Sequence, residues 1–127
     1  MKYGFSKLVD MPYEKAIDRV TEELKKEGFG VLTTIDVKET LKKKLDVDFR
    51  KYVILGACNP PLAHKALLAE EEIGLLLPCN VIVYEKENQT AVAAFDPMVM
   101  LTLTGEEKMR PMAEEVKRQL ERVIAVM

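Results

Sequence analysis

Apolar residues recur along this chain at two periods, and the switches between them mark its elements. From Lys2 to Leu8 the period is two, with Tyr3, Phe5 and Lys7 set against Gly4, Ser6 and Leu8, which predicts a short first strand. The period then lengthens: Tyr13, Ala16, Ile17, Val20 and Leu24 share one helical face, with Asp10 as the expected N-cap, Pro12 in the first turn and Gly28 as the left-handed stop. Alternation returns with Phe29, Val31, Thr33, Ile35 and Val37. Asp36 with Glu39 reads as a capping box for a short helix that stacks Val37, Leu41 and Leu45, and Asp46 to Arg50 is a polar turn.

The middle of the chain is more apolar. Tyr52-Val53-Ile54-Leu55 is hydrophobic on both faces, which predicts a central strand covered on two sides, or on one side by a partner subunit. Pro60-Pro61 stops it, and a helix is expected from Pro61 to about Glu72, burying Leu62, Ala66, Ala69 and Ile73 before Gly74. Val81 to Tyr84 is a second central strand, Glu85 to Gln89 a turn, and Thr90 to Phe95 the return strand of a hairpin. Asp96-Pro97 caps a short apolar helix through Leu103, and Thr104 with Glu107 suggests another capping box. The last helix reaches Ala125 on a stripe of Met109, Met112, Val116, Leu120 and Val123, with a kink or restart expected at Pro111. The main elements run strand, helix, four strands, helix. This order predicts an α+β domain over residues 1–127, with a mainly antiparallel sheet, long helices on one face and two short helices inserted between strands.

Composition narrows the class. With 127 residues, 48% of them hydrophobic and 31% charged, the chain should bury roughly two thirds of its unfolded surface and needs no staples. A net charge of −2 gives no electrostatic reason to bind nucleic acid, and Lys42-Lys43-Lys44 reads as a solvated helix face. No apolar run approaches the ~20 residues of a membrane span, and the N-terminus lacks a signal peptide's apolar region, so the reading is a cytoplasmic protein away from membranes. Two cysteines in such a chain argue against a disulfide framework.

The residues with the most chemistry cluster in Gly56 to His64 and Leu77 to Asn80, which hold both cysteines and the only histidine. Cys58 ends one central strand and Cys79 begins the next, so antiparallel pairing would bring both to one edge of the sheet, where the Pro61 helix also starts. Three uses follow. Cys58, His64 and Cys79 could ligate zinc or another thiophilic metal, with Asn59 and Asn80 completing a ligand-binding group. Cys58 could be a reactive thiol, with the helix N-terminus and Asn59 favouring its thiolate, His64 as base and Cys79 as resolving partner. Or the cysteines simply pack: Cys58 alternates in phase with Tyr52 and Ile54, and His64 lies opposite the buried stripe of its helix. The spacings, C-x5-H and C-x20-C, are not the paired C-x2-C of structural zinc.

The run from Gly56 to Leu67, followed by Glu72 to Glu85, resembles the core signature of domain-of-unknown-function family three hundred and two. The resemblance extends over nearly the whole chain, through Gly28-Phe29-Gly30-Val31 and Ala94-Phe95-Asp96-Pro97. It implies a TATA-binding-protein-like β-α-β4-α fold and a homodimer. It implies no reaction, and the fold likeness carries no nucleic-acid function. It also groups Cys58, Asn59, Pro60, His64, Pro78, Cys79 and Asn80 as one motif. Without a catalytic trio or a Gly-rich cofactor loop, the chain reads first as a homodimeric binding module with a metal or small-ligand site. A structural dimerisation domain comes second and a thiol enzyme using Cys58 third.

Overall fold

The computed structural model describes residues 1–127 and contains one five-stranded antiparallel sheet, ordered β1-β5-β4-β3-β2. The strands are β1 (Gly4–Val9), β2 (Gly30–Asp36), β3 (Tyr52–Cys58), β4 (Cys79–Lys86) and β5 (Gln89–Phe95). The helices are α1 (Tyr13–Lys26), α2 (Val37–Leu45), α3 (Pro60–Ala69), α4 (Met98–Thr104) and α5 (Arg110–Ala125). This is the α+β order expected from the periodicities.

Register decides which side chains face the helices. Val53, Leu55 and Ala57 of β3 stand opposite Val83, Val81 and Cys79 of β4, and Val83 and Val81 stand opposite Val92 and Ala94 of β5. All of these are buried. Against them lie Ala16, Val20 and Leu24 of α1 and Ala113, Val116, Leu120 and Val123 of α5, in one continuous core. Each helix carries the stripe its spacing predicted, because buried positions three and four apart are the ones a sheet surface can cover.

Several local expectations are corrected. The N-cap of α1 is Pro12 rather than Asp10, and it makes no side-chain cap. Gly28 does take the left-handed conformation (φ 86°) that ends this helix. α3 begins at Pro60, one residue early, because Asn59 caps it: its Oδ1 accepts from Leu62 N at 3.5 Å. Both prolines then occupy the first turn, where the missing N–H groups have no intrahelical partner to lose. α3 also ends early. Glu70 is extended, and its carboxylate accepts from Glu72 N, opening a separate 3-10 turn, Glu71–Leu76. Thr104 forms no capping box with Glu107; it closes α4, donating to Met100 O at 2.7 Å and accepting from Glu106 N at 3.2 Å. Pro111 sits in the first turn of α5, after a 3-10 turn at Glu107–Met109, so the expected restart occurs just before it.

Candidate functional site

Three helical segments and one end of the sheet surround a cavity of about 370 Å3. Its floor is the rim where β3 ends and β4 begins, Ala57, Cys58 and Cys79, with Ala57 and Cys79 directly paired across the strands. One wall is α3 with its following turn: Leu62, Ala63, Ala66, Leu67 and Gly74. The other is Met100 of α4, Met109, and Met112, Ala113 and Val116 of α5. The space exists because alanines, Ala63, Ala66 and Ala113, stand where the helices approach one another. Larger side chains there would fill it.

Of the 20 lining residues, 15 are hydrophobic, and none is charged. The volume falls in the range of small-molecule sites, roughly 300–1,000 Å3. Thr33, Cys58, Asn59 and Cys79 bring the polar atoms. The Asn59 amide is already committed: its Nδ2 donates to Glu27 O at 3.5 Å and to Gln119 Oε1 at 3.3 Å. It ties the start of α3 to the end of α1 and to α5, and does not serve as a donor to a Cys58 thiolate. Gly28 makes room for it, since a Cβ there would come within 3.2 Å of Asn59 Nδ2.

Both thiols are free and both border the cavity. Cys79 is buried, and desolvation, with a smaller push from Cys58, raises its pKa to about 11. It is therefore a neutral thiol at physiological pH. Cys58 is half-buried at the strand end. The core-facing phase of β3 belongs to Val53, Leu55 and Ala57, not to the Tyr52, Ile54 and Cys58 phase read as a core position from the sequence.

The structure does not gather the rest of the predicted group. His64 is exposed on α3 and does not line the cavity. Asn80 is exposed, opposite Gly56 on the far side of the sheet. No group of three or more His, Cys, Asp and Glu side chains is placed to hold a metal ion, so the Cys58/His64/Cys79 trio is not assembled. Met100, Met109, Met112 and the alanines were missed as site residues. The available signal was the row of small residues on the buried stripe of α3, where a well-filled core would carry larger ones.

A five-stranded antiparallel sheet with helices on one face and an apolar, charge-free cavity under one end defines a small α+β domain. The sequence places it further. The chain belongs to the family described as domain of unknown function DUF302, whose model matches residues 5–127. It is similar to an uncharacterized conserved DUF302 protein from Bacillus stearothermophilus, known from a crystal structure, at 28% identity and a TM-score of 0.91 over 98% of each chain. No curated protein matches the chain. No helix is long and apolar enough to cross a membrane.

Proposed function

We propose that this protein is a binding module that takes a neutral, apolar small molecule into the cavity beneath Cys58 and Cys79. The observation that carries the reading is the lining itself. A charged ligand would be desolvated there with no counter-ion, whereas an apolar one would exchange water contact for some fifteen hydrophobic side chains. The thiols supply weak polar contacts that orient a ligand without demanding charge. Titration with the neutral fluorophore N-phenyl-1-naphthylamine tests it. Saturable binding at one site per chain is expected, with at least a tenfold loss in Ala63→Phe, which fills the space. Binding that does not saturate, or that Ala63→Phe leaves unchanged, overturns the reading.

A second reading is favoured by one specific feature. Both thiols and the thioethers of Met100, Met109 and Met112 border the same cavity, which makes a soft sulfur set suited to a monovalent thiophilic ion such as copper(I). Zinc fits this set poorly, because thioethers are weak ligands for it and His64 stands outside. Native mass spectrometry after anaerobic copper(I) loading decides it. One chelator-resistant ion per chain, lost in a Cys58→Ser/Cys79→Ser double variant, supports the metal, and an unchanged apo mass removes it.

A further inference from the structure

The cavity is long, and its two ends differ. Its lining follows the end of the sheet from Thr33 on β2, past Cys58 on β3 and Cys79 on β4, to Pro97 just beyond β5. That path crosses three strand spacings, about 14 Å, whereas a round pocket of 370 Å3 would be only about 9 Å across, so the space is a trough. Toward α4 and α5 its walls are Met100, Met109, Met112 and Val116, all hydrocarbon and thioether. At the β2 end stand Thr33 and Cys58. Thr33 pairs with Gly56, and a Cβ on Gly56 would collide with Thr33 Oγ1 and come within 2.8 Å of Pro78 Cγ. The bare glycine therefore lets the hydroxyl settle beside Pro78. The Asn59 amide is spent on Glu27 and Gln119, which leaves the exposed Thr33 hydroxyl as the strongest polar side-chain group open to a ligand. Leu32 and Leu67 line the trough while 67% and 43% exposed, so its apolar surface continues out to solvent.

We infer that the occupant is a single unbranched alkyl chain ending in an uncharged hydroxyl or carbonyl group, its chain along the trough and its polar end at Thr33. This rests on the reading of the cavity as an apolar small-molecule site and names the class of molecule. The lining selects a chain over a ring. Phe29 is the one aromatic residue in it, so a flat ring finds little to stack on, while methionines and leucines adapt to a flexible chain. The polarity at one end selects an amphiphile. No charged side chain lines the space, so a carboxylate or ammonium head would lose water without gaining a counter-ion. A hydroxyl or carbonyl loses less, and the Thr33 hydroxyl can bond to either. The volume sets the length. A cavity of about 150 Å3 holds benzene, so 370 Å3 takes roughly fifteen non-hydrogen atoms, an alcohol of about twelve to fourteen carbons. A chain of that length reaches the rim and takes Leu32 and Leu67 out of water as well.

Displacement of N-phenyl-1-naphthylamine from the full chain by straight-chain alcohols tests it, with urea unfolding to confirm that each variant is folded. From hexanol to decanol each added methylene should tighten binding about three- to fourfold, and the gain should stop at about twelve to fourteen carbons. 1-Adamantanemethanol, a compact cage with as many non-hydrogen atoms as undecanol, should bind at least tenfold more weakly than undecanol. Dodecanoate at pH 8 should bind at least tenfold more weakly than dodecanol. Thr33→Val, at an exposed position, should weaken dodecanol about three- to tenfold and leave the gain per methylene unchanged. Ala113→Leu, which shortens the trough at α5, should stop the gain several methylenes earlier. A fluorophore that saturates and responds to Ala63→Phe but is not displaced by the alcohols overturns this inference and leaves the apolar cavity reading standing; a fluorophore that never saturates overturns both. A cage or a carboxylate that binds as tightly as its matching alcohol also overturns the inference. So does a Thr33→Val variant that binds dodecanol like the wild type, or a folded Ala113→Leu variant whose length limit does not move.

Discussion

Leu55 and Ile54 are neighbours in one strand and similar in size and hydrophobicity, yet they live in different environments. Leu55 is 2% exposed, pressed between Val81 and the helices, while Ile54 looks out from a face no helix covers. The same contrast repeats along β4, where Val81 and Val83 are buried and Ile82 is only half-buried. Hydrophobicity in a strand therefore states that a face needs cover without stating who provides it. On one side the cover is α1 and α5, fixed by the chain's own connectivity. The other side presents Ile35, Ile54 and Ile82 without such cover. Even the void is unequally shared, since the cavity opens toward the helical side, where alanines on α3 and α5 leave space.

The sharpest way to break this comparison is to truncate both neighbours. Leu55→Ala should cost about 3–4 kcal/mol, as expected for a large core side chain removed from a site that cannot fully collapse. Ile54→Ala should cost about 1 kcal/mol, since less surface returns to water. Urea unfolding measures both. If the faces are as different as the register implies, the Leu55→Ala penalty is the larger by about 2 kcal/mol. Equal penalties would mean that the open face is a core face after all.

The same pair explains what the sequence could and could not reveal. Element order, the stripes of α1 and α5, and the meeting of Cys58 and Cys79 at one rim follow from period and topology, which are written in single residues such as Gly28 and Pro61. The phase of β3 is not written there. Tyr52-Val53-Ile54-Leu55 is apolar at every position, so alternation has no contrast to report, and the phase of Tyr52, Ile54 and Cys58 reads as well for a core as that of Val53, Leu55 and Ala57. The cavity was hidden for a related reason. Ala63, Ala66 and Ala113 satisfy the buried stripe of a helix as well as leucine would, and only the distance between elements shows that they leave a space. His64 is exposed, as its position opposite the helix's buried stripe predicts, and it does not line the cavity that the thiols border.

A second test uses pH, because the covered face holds a titratable group in its lining. Burial raises the Cys79 thiol from 9.0 to about 11 in the folded chain. Above pH 9 the unfolded chain releases that proton first, so the unfolded state binds fewer protons than the folded one and stability falls as pH rises. The loss should run from about pH 9 to 11 and reach roughly 2–3 kcal/mol. Tyr13, pushed up to about 12 chiefly by burial, acts in the same direction above its ordinary value near 10. Cys79→Val isolates the thiol: it should flatten the curve between pH 9 and 10 and leave the later fall in place. An unchanged curve would mean that Cys79 is hydrated, and the dry lining assigned to the covered face would be wrong.

The smallest effect concerns the residue that joins the cavity to the helices. Asn59→Ala removes the acceptor for Leu62 N and the two donors that reach Glu27 O and Gln119 Oε1. Loss of an N-cap typically costs about 1 kcal/mol. These three contacts are long, 3.3–3.5 Å, so the cost should sit near that figure rather than above it. What distinguishes Asn59 from an ordinary cap is where the change is felt. Loosening the start of α3 should weaken fluorophore binding in the cavity severalfold, because α3 forms one wall of it and packs toward α5 on the covered side. Fluorescence titration and urea unfolding of the same Asn59→Ala sample read the two responses separately. A loss of stability with an unchanged affinity would mean that the cap does not hold the cavity wall in place.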